Sequence, residues 1–359
     1  MSKGPTLGEK PEFSGVNEVN AQLVAAGVAR GLDEKHQRIM ATMKKVKSAY
    51  IPTRNDKLVD IPFARMKRAV AGMDPEGFAV SIFAETGMGK STLIEQRLKD
   101  EISFQPVPDG YNNYLYPVLY VKAPSKSSMS DLGEQMLDAM GYPITRQKKE
   151  AAIVRDVGNY LKRRGTRVVI IDDFQHVLDA PKVKGPAHVA DSIKNMLQNP
   201  RWPIFIVLVG LPEIKEVVLR DPKDQMLRRV DDFGLLDLSL EADGEMIAAI
   251  VLELVEKRAG LRMSPDVPAD FIERLMFGAH FRFGMVMKII YHAIEDALEH
   301  DETVVCAHHW EEGYRRLVNG DYEAENNVMA ADAWRTIHRP VNRNGVFGSP
   351  SKKKGELRL

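Results

Sequence analysis

Short apolar runs rich in β-branched residues alternate with amphipathic segments through the middle of the chain. Each run is almost continuously apolar, which is typical of strands buried on both faces of a parallel sheet. The helical spacing between the runs indicates helices that cover those faces. The pattern predicts an α/β fold with a five-stranded parallel sheet, whose strands are FAVSIFAE, YPVLYVKA, TRVVIIDD, PIFIVLVG and FGLLDLSL, beginning at residues 78, 116, 166, 203 and 233.

Strand patterns stop near residue 241, and only helical spacing continues after it. The C-terminal end is basic, because seven Lys and Arg side chains from Trp334 onward are opposed by Glu356 alone. A polar, charged segment without apolar periodicity is expected to stay disordered. The predicted divisions are a flexible leader with a basic helical extension at 1–48, an α/β core at 49–240, a small helical lid domain at 241–318 and a basic, disordered tail at 319–359.

Charge and composition limit the classes of partner. The 359 residues contain 50 Lys and Arg against 50 Asp and Glu, so any affinity for nucleic acid must come from local patches. The single cysteine, Cys306, excludes an internal disulfide and fits a reducing cytoplasm. No apolar run reaches the roughly 18 to 20 residues that cross a bilayer, so no membrane partner is expected.

The segment AETGMGKS, residues 84–91, follows the phosphate-binding loop pattern G-x-x-x-x-G-K-[ST] at every fixed position except the first. Gly87 and Gly89 allow a tight turn whose N–H groups point at phosphate oxygens, and the helix that follows adds its positive end. Ala84 stands where glycine is usual, at a strand exit where a negative φ suffices. The alternative is a chance strand, turn and helix.

This loop is predicted to bind ATP. Lys90 is expected to contact the β and γ phosphates, and Ser91 to coordinate Mg²⁺. The full set of predicted nucleotide contacts in the loop is Glu85, Thr86, Gly87, Met88, Gly89, Lys90, Ser91 and Thr92.

A second acidic motif, VVIIDDFQH, supports the same chemistry. Its β-branched run ends at Asp172, predicted to support Mg²⁺, and Asp173, predicted to orient the attacking water. Glutamate is usual at the second position. Because aspartate is one methylene shorter, ATP hydrolysis is expected to be slow or to depend on a partner. The alternative is an ordinary strand end.

The order of these blocks resembles AAA+ ATPases, and more narrowly the TniB/TnsC family of transposition ATPases, with MuB and IstB as more distant relatives. The likeness covers about residues 49 to 240 and, more weakly, continues to about 317. It is carried by AYIPTRNDKLVDIPFARMKRAV, the phosphate loop, YPVLYVKAPSKSSMSDLGEQMLDAMGYP, RRGTRVVIIDDFQHVLDA and PIFIVLVGLPEIKEVVLRDPKDQMLRRVDDF.

The resemblance implies further site residues. Arg229, with Arg228 beside it, matches the arginine that reaches a neighbouring subunit's γ phosphate; a basic helix end is the alternative. Arg282 matches a nucleotide-contacting region of the lid, although an exposed arginine at a helix start is an equal alternative. Gly210 and Leu211 depart from the family, which usually has a polar sensor residue there.

The resemblance also implies a function. Its members form ATP-dependent rings or helical filaments around duplex DNA, mark the insertion target and engage a transposase. The implied cofactors are ATP and Mg²⁺, and the implied partners are further copies of this chain, the DNA phosphate backbone, a transposase and a target-selection protein. The candidate DNA contacts, each of which could also be an ordinary surface charge, are Lys122, Lys126, Arg146, Lys148 and Lys149.

Other functions are less consistent with the sequence. An AAA+ ATPase that remodels proteins without DNA is the alternative, although no aromatic-hydrophobic-glycine loop occurs near residues 120–130. A small-molecule kinase is disfavoured by the helical segment after the sheet, and a GTPase by the absence of an Asn-Lys-x-Asp motif. No zinc site is expected at Cys306, His308 and His309, because neighbouring residues on a helix point in different directions.

Overall fold

The structure is a computed structural model that describes residues 18–111, 113–146, 148–178, 186–197, 201–215, 229–318 and 326–337. The chain divides into two compact units. The α/β unit contains Pro52–Glu85 and Lys90–Leu236, and the helical unit contains Gln22–Ile51, Thr86–Gly89 and the described residues from Asp237 onward. No helix among the described residues combines the length and the apolar character that crossing a membrane requires.

The helices follow the predicted alternation with strands. In chain order they are α1 (Glu18–Arg30), α2 (Glu34–Lys47), α3 (Arg54–Ala71), α4 (Lys90–Asp100), α5 (Met129–Ala139), α6 (Glu150–Arg164), α7 (Gln175–Leu178), α8 (Pro186–Leu197), α9 (Leu240–Leu252), α10 (Phe271–Gly278), α11 (Phe283–Glu299) and α12 (Ala307–Val318). Short 3₁₀ turns occur at Ile102–Phe104, Pro212–Ile214 and Trp334–Thr336, and a π-helical turn continues α9 over Glu253–Arg258.

The strands confirm the predicted fold class. They are β1 (Ala79–Phe83), β2 (Val107–Pro108), β3 (Tyr114–Leu115), β4 (Val118–Lys122), β5 (Val168–Asp172), β6 (Phe205–Gly210), β7 (Val230–Gly234), β8 (Arg262–Met263) and β9 (Val304–Val305). Five of them form a parallel sheet in the order β4-β5-β6-β1-β7. Because the strands are parallel, β1 and β5 both end at the carboxyl edge of the sheet, where α/β proteins bind ligands.

Alternate side chains of β4 are buried on opposite faces of this sheet. Leu119 and Val121 of β4 join a core cluster with residues of α5, α6 and α8. Val118 and Tyr120 of the same strand join a second cluster with residues of α3 and α4. Burial on both faces explains why this strand is continuously apolar in sequence.

The fifth strand of the sheet was predicted at the wrong position. The predicted run spans residues 233–240, whereas β7 is Val230–Gly234. Within the described part of the chain β7 pairs with β1 alone, and the ladder ends where Phe83, the last residue of β1, is paired with Gly234. An edge strand with one partner ends where that partner ends. Residues 235–240 are apolar enough to resemble a strand, but they lie beyond the end of β1 and have no strand beside them in the described sheet.

The helical unit has a core of its own. Ile39, Met43 and Val46 of α2 are buried in it together with residues of α9, α10, α11 and α12. Lys35, also on α2, donates to the Asp301 carboxylate over 2.6 Å. The predicted basic helical extension is therefore a helix, and its apolar face belongs to the core of this unit.

Residues 326–337 lie within the segment predicted to be a disordered tail, yet they are packed. Trp334 is 1% exposed, and its indole N–H donates to Asp270 Oδ2 over 2.8 Å. Val328 and Met329 are buried in the same core. Apolar side chains between basic ones supply this packing; the remainder of the predicted tail lies outside the described residues.

Candidate nucleotide site

The phosphate loop follows β1 and has the backbone that its glycines predict. Gly87 and Gly89 have φ values of 86° and 87°, in the left-handed region that favours glycine. Ala84 lies outside that region, and its N–H donates to Gly210 O over 3.1 Å. Because Ala84 extends the strand pairing beyond β1, its methyl group is accommodated without backbone strain.

Lys90 is the first residue of α4 and is only 9% exposed. Its Nζ donates to the carbonyl oxygens of Ala84, over 2.7 Å, and of Glu85, over 3.0 Å. The ammonium group is therefore held against its own loop, beside the positive end of α4. Ser91 and Thr92 occupy the next two positions of α4, half-buried and exposed respectively.

Residues 86–89 belong to the helical unit through contacts with α11 and the residue before it. Arg282 Nη1 donates to Thr86 O over 3.2 Å, so the structure brings this predicted residue to the loop. A Cβ atom on Gly284 would lie 2.6 Å from Gly87 O, and one on Gly87 would lie 2.4 Å from Met285 Cε. Sequence reasoning missed Gly284, whose only signal is a glycine in the first turn of a helix.

Asp172 and Asp173 lie at the carboxyl end of β5. Asp172 is fully buried; its Oδ1 accepts the Asp173 N–H over 2.9 Å, and its Oδ2 accepts the Tyr120 hydroxyl over 2.8 Å. Burial, and next the Asp172 charge, raise the pKa of Tyr120 far above its usual value, so its phenol stays protonated as a donor. Tyr120 was not predicted, because its aromatic ring fits an ordinary strand pattern.

Arg229 immediately precedes β7, and its carbonyl oxygen accepts the N–H of Ala79, the first residue of β1, over 2.7 Å. Its Nη2 lies 3.6 Å from Glu76 Oε2. Arg229 is therefore at the amino edge of the sheet, whereas Lys90 follows the carboxyl end of β1. The neighbouring candidate, Arg228, lies outside the described residues.

The five candidate DNA contacts differ in their surroundings. Lys148 Nζ donates to Asp156 Oδ2 over 2.7 Å and holds the pKa of that carboxyl below its usual value. Lys122 Nζ lies 3.8 Å from Glu95 Oε1. The side chains of Lys126, Arg146 and Lys149 are exposed.

Cys306, His308 and His309 lie closer together than their sequence positions predicted. The two imidazole rings are 3.8 Å apart, and each of the three side chains has a potential ligand atom within 4.8 Å of the others. However, the Cys306 N–H donates to His309 Nδ1 over 2.9 Å, the reciprocal half of a capping box at the start of α12. Because Nδ1 accepts this bond, a neutral His309 ring carries its proton on Nε2. The grouping of the three side chains is therefore explained by capping of α12.

A parallel sheet in this order, a glycine-rich turn before a buried lysine, and an acidic strand end are the features of the AAA+ P-loop ATPase fold. Solved structures of similar fold include Cdc6p from Pyrobaculum aerophilum, with 12% identity, 79% of this chain and 72% of that chain covered, and a TM-score of 0.54. The Aeropyrum pernix ORC1 protein in complex with DNA has 14% identity, coverage of 77% and 67%, and a TM-score of 0.53. The ADP form of Aeropyrum pernix ORC2 has 14% identity, coverage of 79% and 75%, and a TM-score of 0.51.

Residues 73–239 match the model of a family described as "Bacterial TniB protein". Over this segment the chain is similar to the TniB family, and the family match together with the fold indicates a nucleotide-binding ATPase. The resemblance inferred from the order of the sequence blocks is thereby confirmed. A comparison with curated proteins found no match.

Proposed function

We propose that this protein is an ATP-dependent regulator of DNA transposition. It binds ATP and Mg²⁺, assembles as a ring or filament on duplex DNA, marks the insertion target and recruits or activates a transposase. Similarity to the TniB family over residues 73–239 supports this function, and the position of Arg229 supports the mechanism of assembly. Such an assembly acts in the bacterial cytoplasm, where it remains bound to DNA.

The loop and the acidic strand end fit a nucleotide with a divalent cation. Asp172 uses one lone pair on each oxygen for its two hydrogen bonds, and the remaining lone pairs suit the hard oxygen coordination of Mg²⁺. Ser91 and Asp172 would hold the ion, which would neutralise charge on the β and γ phosphates. Lys90 supplies a further positive charge from the start of α4.

Asp173 orients the water for hydrolysis. As the water oxygen bonds to the γ phosphorus, the bond from that phosphorus to the β–γ bridging oxygen breaks, and ADP leaves with its electron pair. The water proton passes to the Asp173 carboxylate and then to solvent. Asp173 has a φ of 54°, a left-handed conformation that aspartate tolerates better than most residues.

The position of Arg229 favours action on a neighbouring subunit. Arg229 is bonded to Ala79, the first residue of β1, whereas Lys90 follows the last residue of that strand. The length of β1, roughly 13 Å, therefore separates the amino edge of the sheet from its carboxyl edge. One chain therefore presents its phosphate loop and its arginine at opposite edges of the sheet. In a head-to-tail assembly, Arg229 of one copy meets the γ phosphate of the next, and hydrolysis removes that contact.

DNA binding by such an assembly needs few charges in each copy. Many copies share one duplex, and each neutralised phosphate releases counterions, which reconciles DNA binding with a net charge of zero. Lys126, Arg146 and Lys149 are the stronger contacts of the predicted set, because Lys122 and Lys148 lie beside carboxylates.

Electron microscopy with a non-hydrolysable ATP analogue, with and without duplex DNA, tests this function. We expect ordered assemblies that require both analogue and DNA, and none from Lys90→Ala. Lys99→Ala is the matched control, because Lys99 is an exposed lysine on the same helix. Normal assemblies from Lys90→Ala would refute the nucleotide switch. ATPase activity indifferent to DNA would instead favour the alternative, an AAA+ ATPase that remodels a protein partner.

A further inference from the structure

The side chain of Gln175 occupies the space beside the carboxyl end of β6. A Cβ atom on Gly210, the last residue of β6, would lie 2.6 Å from Gln175 Oε1 and 2.9 Å from Ile214 Cγ2. Any larger residue at position 210 must therefore displace the glutamine. This close approach explains why glycine stands where related ATPases usually carry a polar sensor residue.

The amide of Gln175 connects the ends of two neighbouring strands. Gln175 Oε1 accepts the Leu211 N–H over 3.3 Å, and Gln175 Nε2 donates to Asp173 Oδ1 over 3.3 Å. The chemistry fixes this orientation, since the reversed amide would place oxygen against carboxylate and NH₂ against N–H. The Phe174 N–H also donates to Val209 O over 2.9 Å, so the backbone joins the same two strand ends.

We propose that Gln175 is a positioning residue for ATP hydrolysis, which holds the Asp173 carboxylate and transmits the position of the β6 end to it. This inference rests on the proposed role of Asp173. An aspartate has one methylene fewer than the usual glutamate, so a fixed orientation compensates for its shorter reach. The amide replaces, from the loop after β5, the polar group that Gly210 and Leu211 lack.

The first test separates turnover from binding in two variants. Gln175→Ala removes the bridge, and Gln175→Glu keeps the size and the acceptor for Leu211 while replacing the donor to Asp173 with a carboxylate. We expect kcat for ATP hydrolysis to fall roughly 10- to 100-fold in both, as for a misplaced catalytic group, with the Kd for the ATP analogue unchanged within about twofold. Turnover within twofold of wild type in both variants would overturn the proposal.

A double-mutant cycle tests the contact between Gly210 and Gln175 independently of the first test. Gly210→Ala should lower kcat in the wild-type chain, because the added methyl group displaces Gln175, but should lower it much less in Gln175→Ala, where the amide is already absent. Equal effects on both backgrounds would contradict the proposed contact. Thermal unfolding of each variant checks that the fold is retained.

The variant Asp173→Asn distinguishes a failure of the proposed role of Gln175 from a failure of the proposed role of Asp173. If Asp173→Asn retains wild-type turnover, the proposed role of Asp173 fails, and the inference fails with it. If Asp173→Asn is inactive while Gln175→Ala and Gln175→Glu hydrolyse ATP normally, Asp173 keeps its role and the inference alone is refuted.

Discussion

The Tyr120 hydroxyl donates to Asp172 Oδ2 over 2.8 Å, from one strand of the sheet to its neighbour. Tyr120 is itself largely buried, so this bond forms away from bulk water. A hydrogen bond to an ionised, buried carboxylate is stronger than one between neutral groups. The bond fixes the direction of the Asp172 side chain, and with it the lone pairs that are left for Mg²⁺.

Tyr120→Phe should therefore weaken both folding and the use of Mg²⁺. Loss of the bond is expected to reduce the free energy of unfolding by about 1.5 to 3 kcal/mol. The Mg²⁺ concentration for half-maximal ATPase activity should rise, because Asp172 is less constrained. Denaturant unfolding and a Mg²⁺ titration measure the two effects. Tyr111→Phe, at a side chain that is 86% exposed, is the control, and an unchanged titration in Tyr120→Phe would refute the link.

Arg229→Ala should leave nucleotide binding by separate chains within about twofold of wild type, while DNA-dependent ATPase activity falls roughly 10³-fold. Arg68→Ala is the matched control, because Arg68 is exposed beside the same surface hollow as Arg229. Mixing Arg229→Ala with Lys90→Ala should restore part of the activity, since one variant supplies an intact loop and the other an intact arginine. Failure of the mixture to exceed either variant alone would exclude action between subunits.

Gly284→Ala should disturb the phosphate loop from a distant point in the sequence. The added methyl group would lie 2.6 Å from Gly87 O, so the loop or the start of α11 must shift. We expect weaker binding of the ATP analogue, by about tenfold or more, measured by calorimetry. Gly158→Ala, also on a helix but in open space, should bind normally and gain about 0.5 to 1 kcal/mol of stability. Equal affinities in both variants would contradict this packing.

Trp334→Ala should destabilise the helical unit by about 3 to 5 kcal/mol, since it empties a buried site and leaves a carboxylate without its indole donor. Urea unfolding followed by circular dichroism measures the change. Asp332→Ala, at an exposed side chain in the same segment, should change stability by less than about 0.5 kcal/mol. A mild effect of Trp334→Ala would show that this segment is dispensable.

His292 should make stability fall as the pH is lowered. Burial lowers its pKa, so below the ordinary value of about 6.5 the unfolded chain takes up a proton more readily than the folded chain. Its contribution is complete above that pH and is lost as the pH falls towards the folded pKa. Unfolding at pH 7.5 and 5.5 should show a smaller difference for His292→Phe than for wild type.

The sequence predicted the sheet and the loop well because both depend on short-range patterns. Apolar runs reveal strands buried on two faces, and the spacing from Gly87 to Ser91 reports a local turn. Contacts between distant residues were missed for the same reason. Nothing in the sequence near Gln175 indicates Gly210, and nothing near Gly87 indicates Gly284.

The sequence also did not predict that α2 and the segment around Trp334 are buried. The sequence predicted α2 only as a basic helical extension and the region of Trp334 as a disordered tail, because charge is the dominant local signal in both. The structure shows that the few apolar side chains between the basic residues decide the outcome, since these are buried in the core of the helical unit. At position 84 the sequence indicated a defect in the phosphate-loop motif, because alanine replaces the usual glycine. The structure shows that Ala84 continues the strand pairing, so alanine fits at this position.

The helical unit is assembled from both sides of the α/β unit in the sequence, which limits how the chain can be divided. Stopping synthesis near residue 240 would leave α2 without the helices that bury Ile39, Met43 and Val46. The resulting fragment would expose an apolar stripe and be prone to aggregation. A soluble fragment of the ATPase core should therefore begin after α2 or include the chain through α12, and a single cut between the two cannot yield both units intact.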